Sequence, residues 1–204
     1  MALGYSVATP TLISILQSCK TEKVLEWTPD FFSKEQGDAI IQLVDIILPK
    51  TDTPSASEVQ VHLFIDRFMD QVMEKEQQDF SKMVMDAFFN KGVTDSGSEA
   101  LVDVSSENLE SSLAEALRFS PEQEEKYQEE IEAYHMAIME GKTASLSDGA
   151  ACHAFATNLR GMTIWGYKGS EYIGEEVLAY LPVPGQYIGC GDLQELSGGK
   201  AWSL

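Results

Sequence analysis

"IIQLVDIILPKTDTPSASEVQVHLFIDRFMDQV", residues 40–72, decides the fold. Ile40, Leu43, Val44 and Ile47 recur at the spacing of one buried helical face. Pro49 ends that helix, because its ring removes a backbone donor and clashes with the preceding turn. Residues 50–60 are turn formers, with Asp52 and Thr53 ahead of Pro54, and Glu58 is the predicted opening of a second helix. On that helix Val61, Phe64, Ile65, Phe68 and Val72 form an apolar stripe.

The same logic extends outward in both directions. Residues 26–30, "EWTPD", read as an extended lead-in; Ser33 and Gln36 have the spacing of a capping box, and Phe32 stands where a hydrophobic staple begins. Phe80, Val84, Ala87 and Phe88 continue the helical pattern after a break, and residues 90–100 read as a connection. Helix resumes over 108–117. Ser120-Pro121 with Gln123 predicts a capped start for the next helix, which Gly141 ends. Residues 150–167 follow as a further helix, and Ser170 is the expected cap of "EYIGEEVLAY", residues 171–180. No run of alternating strands and no internal repeat occurs. The expectation is an all-α fold: a single compact helical domain over residues 20–204 with an irregular C-terminal tail, preceded by a signal-like segment at 1–19.

Of the 204 residues, 33 are acidic and 14 basic, giving a formal net charge of -19. Such a surface repels phosphate backbones and anionic membranes, which argues against nucleic-acid binding. From Ala2 to Leu16 there is no charged residue. The run is broken by Pro10 and too short for a transmembrane span, but it suits the apolar core of an export signal. Its basic n-region is then expected upstream of Met1. Leu16-Gln17-Ser18-Cys19 has the form of a lipoprotein cleavage box, with Cys19 the candidate for lipidation; an export signal that happens to contain a cysteine is the other reading. An exported compartment permits Cys152 and Cys190 to pair, although nothing in the sequence brings them together.

Catalytic and cofactor motifs are missing. "GCGDLQ" near the end has two glycines and no βαβ unit, and Gly141-Lys142-Thr143 lacks the upstream glycine of a phosphate loop. No G-x-S-x-G, H-E-x-x-H or C-x-x-C-H is present. His62 and His135 are isolated and read as structural or surface residues. Cys152 and His153 are adjacent on a helix and therefore point about 100° apart, so they cannot converge on one metal unaided. The carboxylate run "EQEEKYQEEIE" reads as a solvated helix face, with Lys126 and Glu130 spaced for an i,i+4 contact.

The Ile-Leu-Pro end of the first helix, the Asp-Thr-Pro loop and the V-x-x-F-I-D helix (Val61, Phe64, Ile65, Asp66) resemble the hallmark of the gluconate 2-dehydrogenase subunit 3 family. Residues 163–190, "TIWGYKGSEYIGEEVLAYLPVPGQYIGC", are similar to that family's second block, a Gly-Tyr turn, a Leu-x-Tyr helix and a Pro-Gly-x-Tyr-x-x-Cys tail. The likeness runs from Trp27 onward and is weakest over residues 90–149. It implies a non-catalytic accessory subunit of a membrane-associated, periplasmic sugar or sugar-acid dehydrogenase. In such complexes a large flavoprotein of the glucose-methanol-choline type holds FAD and oxidises the substrate, and electrons often leave through a cytochrome c subunit. The small subunit commonly carries a twin-arginine signal for folded co-export, and those arginines are not visible here. A stand-alone periplasmic lipoprotein with a structural or binding role is the alternative.

On this reading the proline- and tyrosine-rich tail is a docking strap. Pro182 and Pro184 restrict the backbone and so reduce the entropy lost on association, while Tyr180 and Tyr187 offer apolar rings with polar tips. Trp165 and Tyr172 join them as interface anchors. The competing reading is that these rings cover the domain's own helices.

Overall fold

The computed structural model describes residues 27–183, 185, 188 and 190–203. Among them run seven α-helices: α1 (Lys34–Ile47), α2 (Val61–Gln71), α3 (Lys75–Ser96), α4 (Ser106–Leu117), α5 (Pro121–Met139), α6 (Asp148–Lys168) and α7 (Leu193–Ser197). A 3-10 turn at Leu101–Asp103 leads into α4, and a π-helical turn at Ile173–Val177 follows α6. No strand occurs among the described residues; Ala179 and Trp202 form an isolated parallel bridge. The all-α expectation holds.

The core is built around α6, which contacts each of α1 to α5. A helix surrounded in this way cannot be amphipathic, and its buried residues, from Ala150 through Phe155 and Leu159 to Thr163, are accordingly spread around its circumference. Its most extensive neighbour is α3. There Phe155 packs against Phe88 and Phe89, with ring centroids 4.7 and 5.6 Å apart. Small residues at Ala150, Ala151 and Ala156 let neighbouring helices come close. Two further histidine and cysteine positions are filled by this packing: Cys152 and His153 are both buried, with the His153 ring edge-on to Phe119 at 4.4 Å.

The capping box at the start of α1 forms as its sequence dictates. Ser33 Oγ accepts from Gln36 N at 3.2 Å, and Ser33 N donates to Gln36 Oε1 at 3.0 Å. The Phe32 staple has no side chain to meet, because the fourth helical residue is Gly37. That bare position instead admits Pro29 and Trp27: a Cβ there would lie 2.8 Å from Pro29 Cγ and 3.0 Å from Trp27 Cζ3.

Elsewhere local detail departs from expectation. α2 opens at Val61 rather than Glu58, because Glu58 serves the turn before it: its carboxylate accepts from Ser55 N at 2.9 Å and pairs with Lys50. Gln60 then enters the helix in the left-handed conformation (φ 62°). The connection expected from residue 90 is helical as far as Ser96, and α3 ends at Gly97, whose φ of 68° terminates it. Ser120 caps α5 through Gln123 N. Glu130 does not turn to Lys126; its carboxylate accepts from Ser147 N and Ser147 Oγ, fixing the residue that caps α6. Ser170 stands at the start of the next helical turn, its carbonyl accepting from Gly174 N at 2.8 Å, but its side chain does not cap that turn. Its hydroxyl donates back to Tyr167 O at 2.7 Å, and the helical turn beyond it stops at Val177.

Candidate functional site

Three contacts hold the first distinctive sequence block in place, and two of them join it to the second. The first is a buried carboxylate. Asp66, 1% exposed, accepts from Asp30 N (2.9 Å), Phe31 N (2.9 Å) and Phe32 N (3.3 Å). It thereby satisfies the amides of the lead-in just before α1 and joins that lead-in to α2. The second is Tyr167 at the end of α6. Its hydroxyl donates to Pro54 O at 2.8 Å and lies 3.0 Å from Thr53 Oγ1, pinning the Asp-Thr-Pro loop to α6. The third is Gly166, where a Cβ would come within 2.6 Å of Phe64 Cδ1; only glycine lets the Phe64 ring lie on α6. Asp45 holds the other side of the loop, accepting from Ser57 N at 2.7 Å and Ser57 Oγ at 2.6 Å.

This joint leaves a groove open to solvent between α2 and the end of α6, about 600 Å³ in volume. Leu63, Phe64, Phe68 and Trp165 form its apolar walls, and among the described residues Arg67 is the single charged one along it. Trp165 stands edge-on to Phe64 and Phe68, at centroid distances of 5.0 and 5.2 Å, yet remains 47% exposed. Val72, read from its spacing as the last residue of a buried stripe, is 63% exposed at the rim. Beyond the groove the chain continues to display apolar side chains: Tyr172, Tyr180, Leu181, Leu193 and Trp202 are all exposed. The segment is nevertheless anchored. Ile173 is buried, Ala179 N donates to Ala201 O at 2.9 Å, and Ser203 N donates to Ala179 O at 3.0 Å.

Of the six strap and anchor residues, the structure therefore places Trp165 in the groove and Tyr172, Tyr180 and Pro182 on the exposed tail. Pro184 and Tyr187 lie outside the described residues, as does Cys19. Cys152 and Cys190 are free thiols in the structure, and no disulfide joins them: Cys152 is buried inside the helical core, whereas Cys190 is exposed on the tail. Leu63, Arg67 and Val72 are site residues that sequence reasoning missed. An exposed apolar residue at helical spacing cannot be told from a buried one without knowing how far the neighbouring helix extends.

A second, more enclosed cavity of about 290 Å³ lies among α3, α4, α5 and α6, with Phe88, Lys91, Tyr127 and Cys152 in its lining. Burial pushes the Cys152 thiol up to about 11, so it stays protonated at neutral pH and is poorly suited to act as a nucleophile or soft ligand. Lys91 stands beside it, held above the usual lysine range first by its hydrogen bond to Asp95 and also by Glu115 at 3.2 Å. Among the described residues there is no group of three or more His, Cys, Asp and Glu side chains that could hold a metal. No helix among them is long and apolar enough to cross a membrane.

His62, next to Val61 and Leu63 on α2, is a half-buried titratable group. Its Nδ1 is buried with no hydrogen-bond partner among the described residues, and its ring meets Trp27 edge-on at 5.0 Å. Desolvation holds its pKa below the ordinary value of 6.5, against the opposing pull of Asp45 and Asp66. The folded state thus binds this proton less readily than the unfolded chain. The stability His62 contributes is complete above pH 6.5 and is lost as pH falls through the depressed folded value. Denaturant unfolding between about pH 7 and pH 5 is expected to show a shallower loss of stability in His62→Phe than in wild type, since His is the side chain that titrates there. Parallel curves would refute this assignment.

The fold and site together define a small all-α module with an apolar face next to its C-terminal segment. The family described as gluconate 2-dehydrogenase subunit 3 matches residues 34–185, and the chain belongs to it. The match covers the first sequence block, the helices after it and the second block as far as Gly185. Comparisons with curated proteins and with solved structures find no match.

Proposed function

We propose that this chain is the non-catalytic small subunit of a periplasmic, FAD-dependent sugar, sugar-acid or glycoside dehydrogenase complex. It binds the flavoprotein large subunit and assists its export, maturation or stability, while FAD and substrate oxidation belong to that partner and a cytochrome c subunit can take the electrons. Family membership supports the association with a larger dehydrogenase assembly. The observation that carries the reading is the exposure of Trp165, Tyr172, Tyr180, Leu181 and Trp202 along one end of the chain. Aromatic side chains left in water on an ordered backbone are what a protein interface uses as anchors. Their backbone is already held by the Ala179–Ala201 and Ala179–Ser203 hydrogen bonds, so less ordering entropy is lost on docking.

Co-expression with a flavoprotein large subunit tests this. Affinity capture of the tagged small subunit is expected to recover a yellow complex with dehydrogenase activity, and the isolated small subunit is expected to be colourless and inactive. A Tyr180→Ala, Leu181→Ser double variant should recover at least about tenfold less large subunit, the loss typical of removing interface anchors. Flavin or turnover in the isolated chain, or failure of the wild-type chain to recover a flavoprotein, would refute the reading.

A further inference from the structure

We propose that the α2–α6 groove receives a segment of the large subunit that places an apolar side chain between Trp165 and Val72 and a carboxylate on Arg67. The inference rests on the accessory-subunit reading and adds to it a site and the chemistry of the occupant. The groove's walls are hydrocarbon and aromatic, so its main gain comes from an apolar side chain leaving water. Its volume of about 600 Å³ is enough for several side chains from one face of a helix or one extended segment.

Charge decides which segment fits. The chain as a whole carries a net charge of -19 and is suited to basic partners, but the groove reverses that local sign. Among the described residues Arg67 is its only charged lining residue, and no carboxylate of theirs comes within ion-pair distance of it. A planar guanidinium beside an apolar wall is matched by an incoming carboxylate, which it can bind through two parallel hydrogen bonds. A second copy of this chain is disfavoured because bringing two such acidic surfaces together costs electrostatic repulsion. The groove also opens next to Ser170, two residues before exposed Tyr172, so an occupant can engage groove and tail in one continuous contact.

The test is a competition. Wild-type and variant small subunits bearing different tags are co-expressed with one flavoprotein large subunit, and the ratio bound to it is measured. Val72→Glu and Arg67→Glu are both expected to be recovered about tenfold less than wild type. Both residues are exposed, so their thermal unfolding should match wild type, whereas Met139→Glu, on α5 and 84% exposed, should compete equally. Added salt should weaken the wild-type complex more than the complex formed by Arg67→Ala. If Val72→Glu and Arg67→Glu compete equally with wild type while the Tyr180/Leu181 variant does not, the groove inference is overturned and the accessory role stands. If wild type captures no flavoprotein, both fall. A dimer in size-exclusion chromatography that Val72→Glu dissociates, with flavoprotein binding unchanged, would overturn the inference in favour of a second copy.

Discussion

Asp66→Ala is expected to cost about 3 kcal/mol of folding stability, because it leaves three lead-in amides without their buried acceptor. In a domain of this size that corresponds to a fall in Tm of roughly 10 °C. The effect is large because Phe31 and Phe32 are themselves buried, so water cannot readily replace the lost carboxylate. Asp66→Asn separates hydrogen bonding from charge. Its amide oxygen can keep the Phe31 and Phe32 contacts, but its NH₂ would face the Asp30 amide, and about half the loss should return. Urea unfolding of both variants checks the order Ala below Asn below wild type. Equal stabilities for Asp66→Ala and wild type would show that the clamp adds nothing.

Phe88→Ala is expected to cost about 4 kcal/mol, the range found when a buried aromatic ring is cut back to a methyl group. Phe88 is 2% exposed and packs against both Phe89 and Phe155 at the main α3–α6 contact. It also borders the cavity of about 290 Å³, so truncation would enlarge a space the surrounding helices have already failed to fill. Phe88→Leu retains more of the ring's volume and should lose about half as much. Calorimetric or denaturant unfolding decides it; a loss below about 1 kcal/mol for Phe88→Ala would mean that the cavity walls collapse easily.

What the sequence made legible follows from distance along the chain. The Ser33–Gln36 box, the Ile40, Leu43 and Val44 stripe and the Ser120-Pro121 start depend on residues within a turn or two, and all are present. Asp66 was visible only as part of a resemblance, because its three donors lie 34 to 36 residues away. Glu130 was misread because its partner Ser147 lies 17 residues on, and Glu58 because it closes the turn behind it instead of opening the helix ahead. Each had a plausible nearby role, and each serves another element instead, Lys50 and Ser55 for Glu58 and Ser147 for Glu130. Trp165 could be singled out from the sequence, but the groove it lines required knowing that α2 and α6 cross where Gly166 admits Phe64. Val72 shows the limit most simply, since its spacing matches that of buried Val61 and Ile65 while its surroundings do not.

The position of α6 also sets a timetable for biosynthesis. α1, α2 and α3 all pack on residues 148–168, which leave the ribosome long after them. At ordinary elongation rates the earlier helices wait on the order of ten seconds with their greasy faces bare. α1 and α3 can meet α4 before then, but the faces that seat on α6 are the last to be covered, and during that interval they are natural sites for holding chaperones.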